Sequence, residues 1–212
     1  FLGAFMLSFP FFKDFADIRF PGVLQRIGVV FFFASILFLN FNWRVLIGIA
    51  AFFLIGYWLL MTAVPVEGVE STLQRAPNNL ANWLDVKLFG THNYRADYDP
   101  EGLLSTLPSV VNVIVGFLAG RFIQQKGKSF EGIAKLLMLG FLLAALAFWW
   151  DLVFPLSKKL WTSPFVLLTV GIDLSVMAIL IYVIELKQVT KGTEFFNVFG
   201  KNPLFIYLFS EL

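Results

Sequence analysis

VLIGIAAFFLIGYWLLMTAV, residues 45–64, is a run of twenty residues without one charged side chain. A bilayer's hydrocarbon core of about 30 Å takes about 20 residues of helix, and a helix satisfies its own backbone polar groups where water cannot reach. The stretch therefore reads as a membrane span, and the chain repeats it. Apolar segments of comparable length cover 23–39, 103–123, 133–154 and 161–186, and a last one covers 195–212. Residues 1–12 are apolar but too short to cross alone, and they lack the charged region and cleavage site of a signal peptide, so they are expected to be a helix stub. The chain starts at Phe1 without an initiator Met and stops inside an apolar run, so a piece of a longer protein is expected. The fold class that follows is all-α: one polytopic transmembrane helix bundle over residues 1–212, with six spans and an N-terminal stub.

Composition agrees. Of 212 residues, 58% are hydrophobic, 18% aromatic and only 14% charged, against about 25% charged in soluble domains. Sixteen Lys and Arg face fourteen Asp and Glu. They lie singly between apolar runs, which leaves no basic stripe for nucleic acid. The absence of cysteine excludes disulfides, thiolate metal sites and a Cys nucleophile, and a single histidine excludes a multi-His metal site within this chain. No metal is expected.

Residues 65–102 are the one long polar connection, and within them NNLANWLDVKLF, residues 78–89, has the spacing of a short interfacial helix. Short connections on one side hold Arg44, Arg121, Lys126, Lys128, Lys135, Lys187, Lys191 and Lys201, eight cations, against Lys13, Arg19, Lys158 and Lys159, four, on the other. Arg75, Lys87 and Arg95 belong to the long loop, which the positive-inside rule discounts. The first side is expected to be cytoplasmic, and loop 65–102 extracytoplasmic.

Ionisable groups within spans are costly unless paired or hydrated, so they are functional suspects. Arg26, beside Gln25 in PGVLQRIG (21–28), suits a phosphate or carboxylate; the alternative is an arginine snorkelling to the interface. Asp173, midway along VLLTVGIDLSVM (166–177), is either a relay carboxylate or the partner of a cation on another helix. The densest polar string is GTHNYRADYDPEGLLSTLPSVVN, residues 90–112. His92 could serve as a general base or simply hold structure. Asp99, Pro100 and Glu101 fit the cap and first turn of a helix, and capping alone would account for them. Ser105, Ser109 and Asn112 recur at spacings of four and three and line one face, either a hydrogen-bonded interface or a cavity wall. In FPLSKKLWTSPF (154–165), Lys158 and Trp161 sit in a tight basic turn. In FGKNPLFIYLFSEL (199–212), Gly200, Asn202 and Pro203 interrupt an apolar run, which makes Lys201 and Asn202 candidate ligand contacts.

The strings PGVLQRIGVVFF, DPEGLLSTLPSVVNVIVGFLAG, FPLSKKLWTSPFVLL and FGKNPLFIY, in this order, resemble the heparan-alpha-glucosaminide N-acetyltransferase family and its bacterial relatives, from Phe9 onward. The resemblance implies a membrane-embedded acyltransferase that takes acetyl-CoA as donor and acetylates the amine of an amino sugar across the membrane. It points to Arg26, His92, Asp99, Glu101, Lys158, Trp161 and Asn202. It also implies a catalytic histidine in a segment preceding this region, to which His92 is not equivalent. His92 with Asp99 or Glu101 would then orient the acceptor, and Arg26 and Lys201 would bind anionic groups. The implied setting is a bilayer, a bacterial inner membrane, with no nucleic-acid partner and assembly into a homo-oligomer left open. The rival reading is a transporter or binding protein for an amino sugar, with Asp173 as its relay.

Overall fold

The structure is a computed structural model that describes residues 2–8, 18–74 and 76–211. Lys13 and Arg75 of the charge comparison lie outside the described residues. Five helices are long and apolar enough to cross a membrane: Val23–Asn40 (α2), Trp43–Ala63 (α3), Thr106–Phe122 (α5, carried to Lys126 by a π-helical turn), Phe130–Asp151 (α6) and Ser163–Ile181 (α7, carried to Leu186 likewise). The short Leu2–Ser8 (α1) precedes them. Leu80–Phe89 (α4) lies in the long connection.

Where each helix starts follows from its cap. The side-chain oxygen of Asn42 accepts the N–H groups of Arg44 and Val45, that of Asn79 those of Ala81 and Asn82, and that of Ser129 the N–H of Gly132. These satisfy donors that helix starts leave orphaned. Pro164 sits in the first turn of α7, where its missing N–H is not needed.

The core lies among α2, α3, α5, α6 and α7. On α3 the buried residues Leu46, Ala50, Leu54, Tyr57 and Met61 follow helical spacing. The tightest pair is α6 with α7, whose backbones meet at glycines. A Cβ on Gly140 would stand 2.6 Å from the Gly171 carbonyl oxygen, and one on Gly171 equally close to that of Gly140. Lipid offers no hydrophobic drive between helices, so close approach of small residues, with the dispersion contacts it allows, is what holds such a pair.

Two expectations change. Residues 195–212 do not form a sixth continuous span among the described residues: Thr193–Lys201 (α8) and Pro203–Glu211 (α9) are nine residues each and meet at Asn202. Pro203 supplies no N–H to continue the first helix, and at nine residues α8 does not reach across a bilayer. Residues 103–105, read as the start of a span, belong to the preceding loop. There α5 begins at Thr106, and its cap residue Ser105 makes no capping bond with its side chain.

Candidate functional site

Three connections meet at one end of the bundle: the approach to α2, the loop between α4 and α5, and the turn between α6 and α7. The approach to α2 is clasped to the second. The Phe20 N–H donates to the His92 carbonyl at 2.9 Å, the two rings stack with centroids 3.8 Å apart, and His92 Nδ1 lies 2.7 Å from the Ile18 carbonyl oxygen. A carbonyl only accepts, so Nδ1 carries the proton, and Nε2 is the acceptor nitrogen of the neutral ring.

Arg19 completes the clasp. Its Nε donates to Asp99 Oδ2 at 2.8 Å, while Nη2 bonds both Asp99 Oδ1 and Glu101. Burial alone would lower the Arg19 pKa, but the hydrogen bonds and charges of Asp99 and Glu101 outweigh it and the net direction is up. Asp99 is buried and also accepts the N–H groups of Tyr94 and Glu101, at 2.7 and 2.9 Å. Its carboxylate therefore organises the loop rather than capping α5.

Beneath the loop lies Arg26, one turn into α2 and buried. Nη1 donates to the Pro100 carbonyl at 3.1 Å and Nη2 to Ser105 Oγ. The guanidinium carbon is 4.9 Å from the centre of the Trp161 ring. Nε is buried without a hydrogen-bond partner among the described residues. The Trp161 indole N–H donates to Asn112 Oδ1 at 3.1 Å, and the Asn112 amide donates to Thr169 at 3.3 Å. The α4–α5 loop and the α6–α7 turn thus meet on one cation, with Asn112 and Thr169 behind the indole.

Trp161 holds a left-handed backbone, φ +51°, which costs a bulky residue on the order of 1–2 kcal/mol. The turn around it is tied down: the Tyr57 hydroxyl donates to the Leu160 carbonyl at 2.6 Å, and Thr162 accepts the Ser157 N–H and donates to the Pro155 carbonyl, both at 2.9 Å. These bonds keep the indole over the guanidinium.

Asp85 of α4 supports the loop from the other side. It is buried at 1% exposure, and its Oδ1 accepts the Leu103 N–H at 2.8 Å. Gly102 is forced by this contact, because a Cβ there would stand 1.7 Å from Asp85 Oδ2. Burial pushes the Asp85 carboxyl up to about 7, with the Asp99 charge adding and the Leu103 N–H and Arg26 opposing.

The site can be set beside known proteins. No protein-family model matches the chain. The chain is similar to heparan-alpha-glucosaminide N-acetyltransferase. It is 26% identical to the protein of that name from Homo sapiens over an alignment of 252 positions, which takes in 92% of this chain and 37% of the human protein. The mouse protein of the same name is also 26% identical, over 92% of this chain and 38% of its own length. The chain therefore spans well under half the length of the curated relatives it matches.

Of the residues that this resemblance and the sequence pattern singled out, Arg26, Ser105, Asn112 and Trp161 come together directly, and Asp99, Glu101 and His92 sit in the loop above them. The other candidates are placed elsewhere. Gln25 turns toward α1, its side-chain oxygen within 2.3 Å of where a Gly3 Cβ would stand. Lys158 is exposed on the turn, and Lys201 and Asn202 are exposed at the α8–α9 junction. Asp173 is on the exposed face of α7, and no described residue bonds to it. Ser109 is buried and donates to the Ser105 carbonyl four residues before it, at 2.9 Å.

Sequence reasoning missed four residues here. Arg19 was counted only as a loop charge, and Asp85 only as part of an amphipathic helix. For Asp85 the available signal was its spacing from Ala81 and Asn82, which puts all three on one face of α4. Tyr57 falls on the apolar rhythm of α3 and gave no polar signal. Thr169 had none beyond its proximity in sequence to the basic turn.

Proposed function

We propose that this chain forms the substrate-holding part of a membrane-embedded acyltransferase that moves acetyl from acetyl-CoA to the amine of an amino sugar. The observation that carries the reading is the Arg26 cluster: a buried guanidinium whose Nε has no hydrogen-bond partner among the described residues, under a tryptophan held in a strained backbone and beside two clasped loops. An arginine that served packing alone would gain from having every N–H satisfied, since a buried unmade hydrogen bond costs about 1–3 kcal/mol. A spare donor on a fixed fork fits an anionic oxygen brought by a ligand. The relatives' name, N-acetyltransferase, supports the reaction class.

In the reaction the amine nitrogen attacks the thioester carbonyl, the carbon–sulfur bond breaks, and the amide and free thiol result. The proton leaving nitrogen needs a base. Arg26 holds an anionic part of the donor, Asp99 and Glu101 with Arg19 keep the loop shaped over it, and His92 presents Nε2 toward the acceptor.

The test is Arg26→Ala in purified chain, with acetyl-CoA binding followed by calorimetry. Loss of a charged hydrogen bond worth about 1.5–3 kcal/mol predicts affinity lower by on the order of tenfold or more. Unchanged affinity in a variant that stays folded removes Arg26 from the role.

A further inference from the structure

At the opposite end of the bundle, two cavities adjoin, and their shape and charge describe an amphiphile. The larger, about 710 Å³, is an apolar slot between α3, α5, α6 and α7, with Ile47, Leu54, Val115, Leu139 and Leu143 among its walls. The smaller, about 440 Å³, lies at the turn from α5 to α6, with the polar side chains of Lys126, Lys128, Ser129, Glu131 and Lys135 among its walls. Phe122 and Lys135 line both. The slot follows α3 from Trp43 to Ile55, about 18 Å at 1.5 Å per residue. That is a little more than one leaflet's half of the roughly 30 Å hydrocarbon core.

Charge at the rim selects the head group. Lys135 pairs with Glu131, and Lys128 donates to Glu185 at 3.0 Å. Lys126 makes no hydrogen bond or ion pair among the described residues and its charge is felt by Glu131, so three ammonium groups stand against the two carboxylates of Glu131 and Glu185 and the rim keeps a net positive charge. The start of α6, whose dipole favours an anion, opens into the same cavity. A free inorganic anion would leave the slot empty, and a neutral lipid would leave Lys126 unmatched.

We infer that the α5–α6 end of the bundle is a binding site for one anionic phospholipid, its phosphate among Lys126, Lys128 and Lys135 and one acyl chain in the slot against Leu139 and Leu143. The site lies at the far end from Arg26 and does not depend on the function proposed for that residue.

The test equilibrates the purified chain with mixed micelles of phosphatidylcholine and phosphatidylglycerol, the latter in minority, and reads retained lipid by native mass spectrometry. Phosphatidylglycerol is expected to be enriched over its share, and Lys126→Gln with Lys135→Gln to lower the enrichment on the order of fivefold for each lysine. Leu143→Trp, which fills the slot, should reduce both lipids. Retention in proportion to the mixture, or enrichment that survives the lysine changes, overturns the inference. A benzophenone side chain at Leu139 gives a readout independent of the variants' stability: a phospholipid adduct supports the site, and adducts to protein alone mean that a polypeptide segment fills the slot and overturn it.

Discussion

Gly102→Ala is expected to be among the most damaging single-methyl additions in this chain. The new Cβ would stand 1.7 Å from Asp85 Oδ2 and 2.4 Å from its Cγ. The carboxyl sits on a capped helix whose buried face also carries Ala81 and Asn82, so it can yield only by rotating away and breaking the 2.8 Å bond from the Leu103 N–H. Losing that bond leaves the Leu103 N–H unpaired, about 1–3 kcal/mol, and overpacking a well-filled site costs about 1–3 kcal/mol. Together they give about 4 kcal/mol, or about 8–16 °C in melting temperature for a chain of this size. The assay is thermal unfolding of the detergent-solubilised protein. Asp85→Ala alone should cost about 1–3 kcal/mol, for the orphaned Leu103 N–H. Because Asp85→Ala also removes the obstacle, the double variant should be little worse than Asp85→Ala, a coupling close to the whole cost of Gly102→Ala, about 4 kcal/mol. A Gly102→Ala protein melting within about 2 °C of the parent, or strictly additive variants, would refute the reasoning.

Other expectations follow from the same end of the bundle. The Asp85 carboxyl is raised to about 7 from 3.8, so between those values the folded chain holds a proton that the unfolded chain has lost. Stability should fall as pH rises from about 4 through about 7 and then level off, and Asp85→Asn should flatten that slope in melts across the range; an unchanged slope in the variant counts against the assignment. Arg19→Ala leaves Asp99 buried with only backbone donors and should destabilise by about 2–3 kcal/mol, visible as faster proteolysis of loop 65–102; equal cleavage rates would remove Arg19 from the clasp. Trp161→Phe keeps a ring over Arg26 but loses the bond to Asn112, so stability should drop by only about 1 kcal/mol while acetyl-CoA affinity falls several-fold; a stability loss without any change in affinity would make Trp161 a packing residue.

The spans could be read from the sequence because length and apolarity decide them: a run such as 45–64 has no other stable home. Ends were harder to place. The stretch from Asp99 to Glu101 has the composition of a helix start, yet its carboxylates are drawn to Arg19, which lies eighty residues away from Asp99 in sequence. No local pattern contains that pairing. Depth along a helix was readable for Asp173, but its direction was not, because α7 is apolar on all sides and periodicity cannot say which face turns inward. On α5 the polar residues themselves mark the face, and Ser105, Ser109 and Asn112 do point into the bundle. Arg26 was visible as an exception to its apolar surroundings. Its partners were not, since Pro100 offers only a backbone carbonyl and Trp161 reads like any interfacial aromatic.

The central claim is that the Arg26 end of this bundle serves acetyl transfer from a thioester to an amine. Its most direct measurement follows N-acetylglucosamine formed from acetyl-CoA and glucosamine by the purified protein in lipid, beside the binding of acetyl-CoA, free CoA and glucosamine. Saturable acetyl-CoA binding, with product formation that Arg26→Ala abolishes, is the predicted result. Glucosamine binding with no affinity for the thioester and no product would contradict the account.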